Sequence, residues 1–338
     1  MVQRRLRVQY KGATLSPTAQ RTLVMTDQEL VLVVVDPTAK SQPAIERAAW
    51  IAKSLGARLE LFVCDYNPHL SENNAFDRAS LAKARASLLE NHKRRLLDLA
   101  RPLVAAGLEV TVDARWDHPL YDGIVRKSVD SGAALVVKDT HYHPVLKRSI
   151  FSNTDWNLIR NCAAPLWLVK PRAAAVTPCV LAAVDPLHER DKPADLDKAI
   201  LAVAQRVCAA TAGELHVFHG FDIAPALAVS TNSLTMPISL PVRELTESMQ
   251  NEHTAAVHAL TDAHDVPRDH VHIHQGGTRE LLVAITDQLH VDVVVMGAVS
   301  RSGLKRLFLG NTAEEVLDKL SCDVLIVKPP GFAPTLAD

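Results

Sequence analysis

Apolar positions along this chain follow two alternating patterns. Unbroken apolar runs of strand length, such as Leu30-Val-Leu-Val-Val-Val35 and Val293-Val-Val-Met296, suit strands covered on both faces. Between such runs lie longer stretches with apolar residues at helical spacing. The clearest carries Leu81, Ala84, Leu88, His92, Leu96, Leu99 and Leu103 on one face. In order, the pattern predicts a strand over 30–36, a helix over 43–55 stopped by Gly56, and a strand over 58–66. A helix over 80–101, a strand over 108–116, a helix over 120–131 and a strand over 134–139 follow. A short helix from 153 and a strand over 165–170 end the series. The same order then recurs: strand 179–185, helix 195–211, strand 214–221, helix 242–263, strand 270–276, helix 278–289, strand 291–297, helix 312–320 and strand 323–328. Strands alternating with helices in this way predict an α/β fold, a parallel sheet with helices on both faces.

The recurrence extends to individual residues. Val136-Val-Lys-Asp139 leads through a basic loop to Asn153-Thr154 and on to Val169-Lys170-Pro171. Val294-Val-Met-Gly297 leads through a basic loop to Asn311-Thr312 and on to Val327-Lys328-Pro329. The interval between the Asn-Thr pairs equals that between the Val-Lys-Pro strings, so the chain is a tandem duplication. The halves are placed at 28–172 and 179–330, with a linker over 173–178 and an appended arm over 1–27. A length of 338 residues suits two domains.

Composition narrows the function. A net charge of −1 with 4% aromatic residues argues against a nucleic-acid surface, which needs a basic stripe or stacking platforms. Five scattered cysteines without a Cys-x-x-Cys pair point to buried thiols in a reducing compartment. No apolar run is long enough to span a bilayer, and a cytoplasmic location is expected. Motifs for P-loop, dinucleotide and nucleophile-elbow chemistry are absent.

The ends of the first strands (Val-Val-Val-Asp36-Pro37 and Ala-Ala-Val-Asp185-Pro186) carry a resemblance, with Asp139-Thr-His-Tyr-His143, Asn153-Thr-Asp-Trp-Asn-Leu-Ile-Arg160 and Gly310-Asn-Thr-Ala-Glu-Glu-Val316. Through them the chain resembles the universal stress protein family, and its tandem E-type members in particular, over roughly residues 28–330. The resemblance implies two adenine-nucleotide-hydrolase-like domains. Each would be a five-stranded parallel sheet of order 3-2-1-4-5, with its ligand at the switch point beyond strands 1 and 4. It also implies an intrachain pseudo-dimer in which the strand-5 edges, 166–169 and 325–327, pair; a homodimer remains open. Nucleotide-binding members carry Gly, two residues, Gly, nine residues, Gly and a hydroxyl residue. Gly297 and Gly310 match two of these glycines, Ser300 stands at the middle one with Gly303 nearby, and Asn311 replaces the hydroxyl. In the first half those positions hold Asp139, Tyr142, Ser152 and Asn153, so nucleotide binding is expected only in the second.

The expected ligand site therefore comprises Asp185, Gly297, Ser300, Arg301, Gly303, Gly310, Asn311 and Thr312. It would take ATP, another nucleotide, or an anionic or acyl-bearing metabolite, the apolar residues of 222–241 either lining the acyl end or packing on one another as a cover loop. Asn311 and Glu314 also fit a capping box that needs no ligand. The function expected is ligand binding in a stress response without catalysis. The alternatives are a weak nucleotide hydrolase or phosphotransferase, and an interaction module with an empty site. Histidines cluster in the second half: His272 and His274 share a strand face, and one of His216 and His219 can join them. His216, His272 and His274 are the candidate zinc ligands, against the plainer reading of satisfied core histidines.

Overall fold

The computed structural model describes residues 29–39, 41–71, 77–143, 148–187, 195–223, 242–298 and 316–334. The arm over 1–27, the segment over 224–241 and the glycine loop over 299–315 lie outside them. The first half runs β1 (Leu30–Val34), α1 (Pro43–Leu55), β2 (Arg58–Asp65), α2 (Arg78–Ala105), β3 (Val110–Trp116), α3 (Leu120–Asp130), β4 (Leu135–Asp139), β5 (His141–His143), β6 (Arg148–Ile150), α4 (Asn153–Asn161) and β7 (Leu166–Val169). The second runs β8 (Cys179–Ala183), α5 (Leu196–Thr211), β9 (Glu214–Phe221), α6 (Val242–Asp262), β10 (Val271–Gln275), α7 (Thr278–Gln288) and β11 (Val293–Gly297), then a helical stretch at 316–319 and β12 (Asp323–Val327).

Local sequence accounts for most of these boundaries. Pro43 opens α1, and Gly56 ends it in the left-handed region at φ 66°. The Asp77 carboxylate accepts from the Ser80 amide at the start of α2. Ser152 and Asp155 form a reciprocal capping box at the start of α4. The sequence reading differs from the structure at α2 and in the loop after β4, among other places. Helix α2 runs past Arg101 through Pro102 to Ala105, because Ala100 and Leu103 on its last turns pack on the core. The loop after β4 contains the antiparallel pair β5–β6; pairing lets a long loop satisfy its own backbone groups.

The strands form one ten-stranded sheet of order β10-β9-β8-β11-β12-β7-β4-β1-β2-β3. Each half has the order 3-2-1-4-5. All pairings are parallel except at the centre, where β12 meets β7 antiparallel with Val324 opposite Leu168, Leu325 opposite Trp167 and Ile326 opposite Leu166. The strand-5 edges are thus joined within the chain. Because alternate strand residues face opposite sides, two cores result. Val31, Val33, Trp167, Val295 and Leu325 lie on one side under α1, α2 and α5. Leu32, Val136, Leu158, Phe218 and Leu317 lie on the other. Both cores run across the two halves.

A buried carboxylate fixes the joint. Asp323, 1% exposed, begins β12 and accepts from Arg47 Nε at 2.9 Å, Trp167 Nε1 at 3.0 Å and the Lys170 amide at 2.9 Å. All three donors belong to the first half. Beside it, Arg172 pairs with Asp292, whose other oxygen accepts from the Cys179 amide at 2.9 Å.

Candidate functional site

In the second half β8 and β11 are parallel neighbours, with β9 beyond the one and β12 beyond the other, so the strand order reverses between them. This is the crevice where an open α/β sheet receives ligands. The Asp185 amide donates to the carboxylate of Asp197 in the first turn of α5 at 3.1 Å, which fixes the backbone at the end of β8. The Asp185 side chain is left 42% exposed, with one oxygen 3.9 Å from His219 Nδ1.

Beneath it lies a buried histidine pair. His219 Nδ1 is 3.0 Å from the Val184 carbonyl, and His219 Nε2 is 2.7 Å from His253 Nδ1 on α6. A carbonyl only accepts, so His219 carries its proton on Nδ1 and takes one from His253 at Nε2. His253 is stacked on Phe221, with ring centroids 4.3 Å apart and planes 13° apart. The floor of the crevice is thus a fixed polar chain in apolar surroundings.

Gly297 ends β11 as expected, but its role is visible in packing. A Cβ there would come within 2.6 Å of Leu196 Cδ2 and 3.3 Å of Ile200 Cδ1. Gly297 is not among the glycines with positive φ. It lets α5 approach the sheet. Ser300, Arg301, Gly303, Gly310, Asn311 and Thr312, the remaining residues of the expected cradle, lie outside the described residues.

The first half resolves the same place differently. Asp139, the counterpart of Gly297, points its Oδ1 at the Ala44 amide in the first turn of α1, 2.8 Å away. Helix α1 has no side-chain cap of its own at Gln42. Asp139 therefore supplies the hydrogen-bond acceptor that the first turn of α1 lacks. Burial raises its pKa to about 7, the charges of Asp323 and Asp36 adding to the effect. Asp36 folds back on its own loop, accepting from the amide and hydroxyl of Thr38 at 2.8 and 2.7 Å. A cleft of about 550 Å³ remains beside it, between the loop after β1 and helix α2, lined by Asp36, Thr38, Gln42, Val63, His92 and Arg95. The half expected to be silent therefore keeps a hollow, but one bounded by side chains and without glycine among its lining.

A model described as the universal stress protein family matches residues 29–170 and again 180–328. The chain belongs to the universal stress protein family. Universal stress protein E of Photorhabdus laumondii is 27% identical over 313 residues, covering 91% of this chain and 97% of that one. Universal stress protein E of Escherichia coli K12 is 27% identical over 310 residues, covering 89% and 94%. A solved structure of a functionally unknown protein from Pseudomonas aeruginosa PAO1 has a TM-score of 0.68 at 25% identity, over 93% of this chain and 95% of that one. A universal stress protein from Archaeoglobus fulgidus has a TM-score of 0.60 at 16% identity, over 88% and 98%, a likeness of fold. With two family modules matched over nearly their whole length by E-type relatives, the chain is a tandem, E-type member of this stress-response family.

Within this universal stress protein the candidate zinc residues are only partly gathered. The register of β9 and β10 sets His272 beside Phe218 and His274 beside Gly220. His216 therefore shares their face, and His219 lies on the other. His216 Nδ1 is 3.0 Å from His272 Nε2, whereas His274 is at the exposed end of β10 against Phe218. Among the described residues, the ligand atoms that converge within 4.8 Å are those of Glu214, His216 and His270. Glu214 and His270 were missed although parity pointed to them, each being two residues from a histidine already considered. The His219–His253 pair had no such signal, because it joins a strand and a helix more than thirty residues apart.

Proposed function

We propose that the switch point of the second half is a small-ligand site that operates without chemical turnover. The anionic end of the ligand lies in the loop formed by Gly297, Ser300, Arg301, Gly303, Gly310, Asn311 and Thr312. Asp185 meets the other end. The ligand class is a nucleotide such as ATP, or an anionic or acyl-bearing metabolite, and its binding couples the protein to the stress response. The first half serves as the structural partner.

The contrast between Asp139 and Gly297 carries this reading. In the first half the Asp139 carboxyl group already occupies the α1 N-terminal amide that an incoming anion would use. In the second half the equivalent position has no side chain, and the neighbouring Asp185 carboxylate is open to solvent.

Native mass spectrometry of the freshly purified full chain, with and without ATP, tests it. The expected result is one adduct per chain, lost in the Gly310→Val and Asp185→Ala variants, with no ATP consumption above that of Gly310→Val. An adduct unchanged in both variants would refute the site. Turnover that disappears in Gly310→Val would replace the binding role with hydrolysis or phosphotransfer.

A further inference from the structure

The amino end of β9 holds a second polar cluster, on the opposite face of the sheet from His219 and roughly 10 Å further down the strand. Glu214 and His216 are two residues apart on β9 and so share a face. His270 ends the single 3-10 turn that leads into β10. Its ring stacks on that of His216, with centroids 4.4 Å apart and planes 23° apart. Glu214 Oε1 lies 3.2 Å from His270 Nε2 and 3.6 Å from His216 Nε2.

His270 Nδ1 is 2.9 Å from the Leu215 carbonyl and donates to it, which turns Nε2 towards the Glu214 carboxylate. A ring proton or a metal cation can bridge that 3.2 Å gap. His216 uses Nδ1 towards His272 Nε2 and turns its own Nε2 to the same carboxylate. An outer hydrogen bond on each ring is the arrangement that orients imidazoles for a metal.

The geometry points to a divalent-cation site of zinc type, with Glu214 Oε1, His216 Nε2 and His270 Nε2 as protein ligands and His272 as the partner that orients His216. Two imidazoles and one carboxylate suit zinc, and three protein ligands leave a fourth position open. A cleft of about 630 Å³ lies beside the cluster, lined in part by Glu214, His270, Cys179 and Cys208. The site lies at the other end of the strands from the proposed ligand site and does not depend on it.

The test uses the full chain, stripped with a chelator and titrated with Zn²⁺ by calorimetry, then with Co²⁺ to read the visible bands of low-symmetry coordination. One tight equivalent is expected. Glu214→Gln and the His216→Ala/His270→Ala pair should each weaken it more than tenfold, and His272→Phe should weaken it by about 10-fold or more as an outer partner. Glu214 is 60% exposed on its side chain, so Glu214→Gln should fold normally, and far-UV circular dichroism checks each variant. A chain that takes up no zinc overturns the proposal. So does zinc bound with undiminished affinity by the paired histidine variant, which would place the metal on other residues.

Discussion

Asp139 shows a residue at an expected site position taken up by a structural contact. The family resemblance sets it opposite the ligand, and in the structure its carboxylate accepts from the Ala44 amide. Its pKa stands at about 7 instead of 3.8, chiefly because it is buried. The folded state therefore holds the proton more tightly than the unfolded chain. The resulting stabilisation is fully present below about pH 3.8 and is lost as pH rises through about 7. Asn at this position keeps the acceptor for the Ala44 amide and removes the ionisation. Asp139→Asn is expected to flatten the fall in stability between pH 5 and pH 8 and to exceed the parent at pH 8 by on the order of 1–3 kcal/mol. Urea denaturation at the two pH values checks this, and identical pH dependences would show that the carboxylate is already neutral or well solvated. The need for an acidic residue near α1 could not be read locally, since Asp139 and Ala44 are far apart in sequence.

At the scale of elements, the meeting of β11 and α5 depends on Gly297. Periodicity predicts both elements, and the family resemblance makes the glycine a ligand residue; the coordinates add that Leu196 and Ile200 fill the space a side chain would take. Gly297→Ala should cost about 1–3 kcal/mol by overpacking. Leu196→Ala alone loses its burial, yet the double variant should lose less than the sum of the two, because the small residue now faces the new methyl group. A double-mutant cycle in urea measures the coupling, and strict additivity would show that α5 yields to the extra methyl without Leu196 taking part. The strand pattern was equally informative about faces. Parity allowed only one of His216 and His219 to share the face of His272 and His274, and the register selects His216. It could not say that the chain enters β10 through a 3-10 turn that stacks His270 on His216, because that depends on how residues 268–270 meet β9.

For the whole molecule, duplication turns two marginal edges into an interior. β7 and β12 would each expose unpaired backbone groups in a separate module, and pairing them removes both edges at once. Asp323 makes the junction specific, since a carboxylate from one half is buried among donors supplied by the other. Asp323→Ala leaves Arg47 buried without its carboxylate and should cost about 3–5 kcal/mol. Equilibrium urea unfolding followed by circular dichroism measures it, and a loss below about 1 kcal/mol, the scale of an exposed pair, would mean the joint rests on apolar pairing alone.

The sequence by itself determined the duplication, the α/β class, the strand order implied by the family and the place of the crevice. The first two are carried by short-range periodicity and by motifs that repeat at a fixed interval, and the strand order and crevice by the family resemblance. Only the tertiary structure decided that Asp139 is bound to a helix amide, that Gly297 serves packing, and that Glu214, His216 and His270 converge. Each of these is a contact between side chains or backbone groups from different elements. Its energy depends on distance and burial, and neither is written in the order of the residues.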